Sequence, residues 1–143
     1  MKKLLLIIPL MFFTLALFAQ HEVSATDPAV LQVVEKYTAK YQLDEQQVAK
    51  MVRIQQRRLK NLNEIAELQH SDNAKYLQKR KAINTGTEVS IKMILYKEQR
   101  MRFDAERANI RKKKAEKTAE LKAKGLNPHQ MTPYLLAIED ELF

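Results

Sequence analysis

Apolar positions recur at helical spacing along most of the chain and never alternate strictly, so the pattern predicts helices and no strands. Val30, Val33, Val34 and Tyr37 form a first stripe. Asp27-Pro28 before it is a start signal, a cap followed by a residue with no N–H to leave unbonded. This helix is expected to end near Tyr41. Leu43-Asp44-Glu45-Gln46-Gln47 then opens a second helix. Asp44 caps it, Gln47 reaches back to the cap amide, and Leu43 folds over Val48 as a hydrophobic staple. The stripe Val48, Met51, Val52, Leu59, Leu62, Ile65 and Ala66 carries that helix to about Gln69. Ser71-Asp72-Asn73 breaks it and caps a short third helix with Tyr76, Leu77 and Ile83, which Asn84-Thr85-Gly86 ends.

From Thr87, read as a cap, to Lys124 there is neither proline nor glycine, and Gly125 follows as a stop. Those 38 residues would reach roughly 57 Å at about 1.5 Å per residue. That exceeds a compact domain of this size, so part of the helix is expected to be exposed or shared with a second subunit. Met101, Ala105, Ala108, Ala115 and Ala119 give it a heptad-like seam of small residues. Leu126 to Gln130 reads as a loop, and Thr132-Pro133 as the start of a last short helix. The fold class is therefore all-α: a small bundle of four to five helices with one long helix.

The first residues follow a different rule. Lys2-Lys3 precede an apolar run from Leu4 to Phe18, and Ala19 meets Gln20. A charged start, an apolar core and a small residue at the end make a secretory signal peptide. The run is about 15 residues, short of the roughly 20 that span a bilayer. The division is a signal peptide over 1–19, cleaved after Ala19, a disordered leader over 20–26, and a helical domain over 27–143, in an exported protein.

Export changes how the charge is read. The chain carries +8 overall. Residues 100–124 hold ten Lys/Arg against four Asp/Glu, so the excess is concentrated on one helix. In the cytoplasm such a helix suggests nucleic acid; in an exported protein acidic proteins, lipid headgroups or wall polymers are the fitting partners, and no nucleic-acid partner is expected. The bland reading of the run is a solvated face with pairs such as Glu116–Lys112 and Glu120–Lys117 or Glu120–Lys124. With no cysteine there are no disulfides or thiolate metal sites. His21, His70 and His129 are scattered, and no nucleophile–base pair or phosphate-cradling glycine loop occurs. No enzyme, cofactor or metal site is expected.

Ile94-Leu95-x-x-Glu98-Gln99-Arg100-x-Arg102-Phe103-Asp104-Ala105, with the earlier Leu43-Asp44-x-x-Gln47, resembles the two signature segments of the Spy/CpxP family of periplasmic proteins, named for a Leu-Thr-x-x-Gln motif. Asp44 and Tyr96 stand where that family has threonines, and the spacing of 52 positions from Leu43 to Leu95 makes a shorter middle. The same five-residue spacing at Leu126 to Gln130 lies in a context that does not fit. The resemblance implies a periplasmic location, a cradle-shaped homodimer, ATP-independent chaperone action or envelope-stress modulation, and unfolded or misfolded envelope proteins as partners. Leu43, Asp44, Gln47, Leu95, Glu98 and Gln99 would be its structural motif. Arg100, Met101, Arg102, Phe103, Arg107, Arg111, Lys113 and Lys114, basic and partly apolar, are the residues expected to hold clients. The rival reading is a regulatory module that senses metal or misfolded protein and acts on a membrane-bound partner. A helical adaptor akin to Skp lacks the strands it would need here.

Overall fold

The structure is a computed structural model that describes residues 27–143. The expected signal peptide, cleavage site and leader fall outside the described residues. Six helices follow in order: α1 (Pro28–Tyr41), α2 (Glu45–Glu64), α3 (Leu68–Ser71), α4 (Asn73–Ile94), α5 (Lys97–Ala123) and α6 (Pro128–Asp140). No strand occurs among the described residues, and none of these helices is long and apolar enough to cross a membrane.

α1 forms as its sequence predicts. The Asp27 carboxylate accepts the Ala29 N–H at 2.8 Å, Pro28 takes the first helical position, and Gln42 in the left-handed region ends it. Its buried face is Val30, Val34, Tyr37 and Tyr41. α2 opens with both halves of the capping box: Gln47 N–H to Asp44 Oδ1 at 2.8 Å, and Asp44 N–H to Gln47 Oε1 at 3.1 Å. α2 packs on α1 and α4, and α6 on α5 and α4. The central cluster joins the α1 face to Leu43, Met51, Ile54, Ile91, Leu95, Phe103 and Leu142. Burying an apolar side chain of this size is worth roughly 1.5–3 kcal/mol.

Three expectations are corrected. Gly86 does not end a helix, nor does Thr87 start one: both lie inside α4. Gly86 faces open space with no positive φ, and Thr87 donates its hydroxyl to the Ile83 carbonyl one turn back. The single rod from Thr87 to Lys124 is broken at Leu95 and Tyr96, both extended, with ψ of 139° and 168°. Lys92 pairs with Asp104, and Glu88 with Arg107. Those partners step outward from the break on both sides, so α5 runs back beside α4 as a hairpin, and its 27 residues make it the longest helix, about 40 Å. Third, α6 starts at Pro128 rather than Thr132, and Leu126 to Gln130 is a helix start rather than a loop. Asn127 and Gln130 form a capping box at 2.9 and 3.1 Å, so the spacing judged out of context is the same device as at Asp44. Pro133 is tolerated inside α6 because the carbonyl it leaves unbonded belongs to His129, in the exposed first turn.

The second helix also ends earlier than expected, at Glu64, with the one-turn α3 filling the gap before Asp72 caps α4 through the Lys75 N–H at 3.0 Å. Gly125, at φ +80°, does stop α5: its N–H bonds Lys122 O, and the Leu126 N–H bonds Leu121 O, the double closure of a Schellman turn. Met101, Ala105, Ala108, Ala115 and Ala119 are all exposed, not packed. The inner face of α5 is instead Gln99, Phe103 and Leu121.

Candidate functional site

The two motif segments meet. Gln47 and Gln99 are both buried and exchange amide hydrogen bonds, Gln47 Nε2 to Gln99 Oε1 at 2.7 Å and Gln99 Nε2 to Gln47 Oε1 at 3.0 Å. Each oxygen also accepts the N–H of its own helix's cap residue, Asp44 at 3.1 Å and Tyr96 at 2.8 Å. Each nitrogen also donates to a carbonyl two residues before the other helix's cap: Gln47 to Ile94 at 2.8 Å, and Gln99 to Gln42 at 3.2 Å, with Tyr41 O at 3.1 Å. The arrangement has near-twofold symmetry and leaves no amide atom unmet. Leu43 and Leu95, just before the caps, are buried beneath it.

Tyr96 departs from the pattern because a tyrosine has no oxygen near its own backbone. It makes no side-chain cap bond, and only the Gln99 half of its box holds. Its hydroxyl donates instead to Asp44 Oδ2 at 2.7 Å, tying the two helix starts together from outside. The Gln47 N–H and then the Tyr96 hydroxyl hold the Asp44 carboxyl below its ordinary range, and the same bond raises the Tyr96 phenol. Glu98 is exposed.

The residues expected to hold clients divide. Phe103 is fully buried, edge-on to Tyr41 with ring centres 6.0 Å apart, and takes no part in any surface. It lies four residues beyond Gln99, on the inward face. Arg107 is held by Glu88 and Asp104, Lys113 by Glu141, and Lys114 by Glu139. Arg100 is exposed, with one bond to Leu95 O at 3.0 Å. Met101, Arg102 and Arg111 are exposed. Of the basic run, Arg102, Arg111, Lys112 and Lys122 form no ion pair among the described residues. Glu120 takes both Lys117 and Lys124, whose bonds in that order pull its carboxyl to about 2.

Sequence reasoning named Met101 as a client-holding residue but missed the groove where it gathers with other exposed apolar side chains. Met93 is 77% exposed, Met101 65% and Tyr96 59%. They line one open groove at the α4–α5 break with Lys50, Lys97 and Arg100. Met51, by contrast, is wholly buried. Asp104 closes one side of the groove, its carboxyl lowered by Lys92 first and Arg107 second.

The acidic end of the chain folds back on the basic helix, one of two arrangements its charge allows. Asp140 binds Arg58 Nη2 at 3.2 Å, Asn84 Nδ2 at 3.0 Å and Arg80. The Tyr37 hydroxyl donates to Leu142 O, and the Arg58 guanidinium lies 4.5 Å from the Phe143 ring centre. Asn84 had read as a helix stop; it is one of the donors that hold Asp140. Among the described residues no three His, Asp or Glu side chains converge as a metal site. No protein-family model, curated protein or solved structure matches the chain.

Proposed function

We propose that this chain is an exported, ATP-independent chaperone of the periplasm, similar to the Spy/CpxP family, that holds unfolding envelope proteins at the groove of the α4–α5 break. The observation that carries this reading is three large apolar side chains left exposed side by side, Met93, Tyr96 and Met101, with Lys50, Lys97 and Arg100 around them. Methionines adapt to varied partners. Cations speed the encounter with acidic chains while contributing little to retention, which suits weak and reversible capture. Arg102 and Arg111 extend the positive field along α5. The twofold pairing of Gln47 with Gln99 supports the kinship with paired motif segments and assigns those residues to scaffolding. The exposed Ala105, Ala108, Ala115 and Ala119 series is the face a second copy would use in the dimer.

The test is aggregation of an acidic unfolded protein with the chain lacking residues 1–19, without nucleotide. Aggregation is expected to be suppressed, and capture to slow as salt shortens the screening length from about 30 Å at 0.01 M to about 8 Å at 0.15 M. Met93→Ser with Met101→Ser is expected to abolish protection while helicity stays unchanged. If several clients aggregate equally with and without the protein at low salt, the chaperone reading is wrong. The regulatory module acting on a membrane-bound partner then takes its place.

A further inference from the structure

The methionines divide sharply by exposure. After residue 19 the chain has four, Met51, Met93, Met101 and Met131. Met51 is sealed in the central cluster, and Met131 is buried as well. Met93 and Met101 stand open, and both line the groove at the α4–α5 break. Met93 is next to last in α4, and Met101 lies near the start of α5. Both side chains face solvent close to a helix end, so a change at either sulfur leaves the packed faces untouched. Leucine at those places would supply similar apolar area with no reactive atom. A thioether accepts an oxygen atom from oxidants, and its susceptibility follows its exposure. Lys50 and Lys97 line the same groove and form no ion pair among the described residues. Their ammonium donors find only a weak acceptor in a thioether sulfur, and a good one in a sulfoxide oxygen.

We propose that Met93 and Met101 are modification sites for peroxides, and that their conversion to sulfoxides turns the groove from apolar to polar while the fold stays intact. In each step the sulfur lone pair attacks one oxygen of hydrogen peroxide. The S–O bond forms as the O–O bond breaks, and the departing oxygen leaves as water with both protons. Sulfur gives up two electrons and the peroxide takes them. The new oxygens then face the ammonium groups of Lys50 and Lys97, and the apolar contact that the thioethers offered is gone. A methionine sulfoxide reductase with a dithiol reverses the change, releasing the oxygen as water and leaving a disulfide. The modification stands on the exposure of these two sulfurs. Its consequence, loss of client capture under oxidants, rests on the function proposed above.

The test treats the folded chain lacking residues 1–19, whose helices all lie within 27–143, with hydrogen peroxide. Peptide mapping by mass spectrometry is expected to find Met93 and Met101 oxidised at least about tenfold faster than Met51 and Met131, and all four at one rate in urea. Helicity by circular dichroism is expected to be unchanged. The probe for the groove is anilinonaphthalene sulfonate, an anionic aromatic dye suited to cations beside apolar side chains. Its affinity is expected to fall at least about tenfold on oxidation and to return after treatment with the reductase. In the chain carrying Met93→Leu and Met101→Leu, dye binding is expected to be the same before and after peroxide. Equal oxidation of all four methionines in the folded chain, loss of helicity on oxidation, or equal dye binding before and after it each overturns the proposal; so does a peroxide effect that survives in the leucine chain. If the unoxidised chain protects no client, the chaperone reading falls, and the mapping and the dye still decide this one.

Discussion

Replacing Gln99 with leucine tests whether the paired amides are scaffolding. The volume is nearly kept and the polar atoms are lost. Gln99 Oε1 accepts the Tyr96 N–H, and its Nε2 donates to the Tyr41 and Gln42 carbonyls. Gln47 loses one partner but keeps the Asp44 N–H and Ile94 O. Gln99→Leu therefore orphans two groups, the Tyr96 N–H and the buried Tyr41 carbonyl. Each buried orphan costs about 1–3 kcal/mol. The N–H lies near the surface and can rehydrate, so the total is expected near about 2–4 kcal/mol, a large part of the roughly 5–15 kcal/mol that holds a domain folded. Urea unfolding followed by circular dichroism reads it, provided the slope is unchanged. The reciprocal pair should also appear in a double-mutant cycle with Gln47→Leu as a coupling of about 0.5–3 kcal/mol. A loss under about 0.5 kcal/mol, or strict additivity, would show that the amides do not hold the two helix starts together.

Three further outcomes are expected. Phe103→Ala should cost about 3–5 kcal/mol in the same assay, because its ring is wholly buried; a cost below about 1 kcal/mol would return it to the surface. Gly86→Ala should stabilise by roughly 0.5–1 kcal/mol, since it sits in open space inside α4, whereas Gly125→Ala should destabilise by about 1–2 kcal/mol at φ +80°; equal signs for the two would contradict the helix boundaries. Burial raises the phenols of Tyr37 and Tyr41 well above their ordinary value, with Glu106 adding to both. Phenols raised in the folded state contribute stability that is full below the unfolded value of about 10 and is lost as pH rises past it. The share of phenolate absorbance due to Tyr37 and Tyr41 should therefore appear only in step with loss of helicity, and ionisation of all five tyrosines in a fully helical chain would refute it.

How legible this was in the sequence depended on which physical signal carried each element. Caps were readable because they are local: Asp27-Pro28, Asp44 with Gln47, Asp72 and Gly125 all act where their chemistry places them. The break at Leu95 was hidden because Ile91, Leu95, Gln99 and Phe103 fall four apart, a spacing that a continuous helix also gives. Periodicity passes through such a break unseen. The signal that did mark it was the Leu95–Gln99 spacing, identical to Leu43–Gln47 and Leu126–Gln130, each of which starts a helix. Gly86 misled because glycine's helix-breaking preference, about 1 kcal/mol, is weaker than the tertiary packing of α4 on α2. The charged run misled for a different reason: its partners, Glu139 and Glu141, lie 25 and 28 residues away, beyond any local pattern.

The break also accounts for where the exposed apolar surface lies. In a continuous helix Met93, Tyr96 and Met101 would share one face, strung along roughly 12 Å of the rod. Once Leu95 turns inward and α5 runs back beside α4, residues on either side of the bend come to one end of the hairpin. Leu95 and Phe103 enter the core, and the amide pair fixes both helix starts. The side chains between the inward positions have no further element to cover them. The same amides that hold the fold thus leave Met93, Tyr96 and Met101 beside Lys97 and Arg100. A variant that loosens the Gln47–Gln99 pair should disperse that groove before it melts the helices.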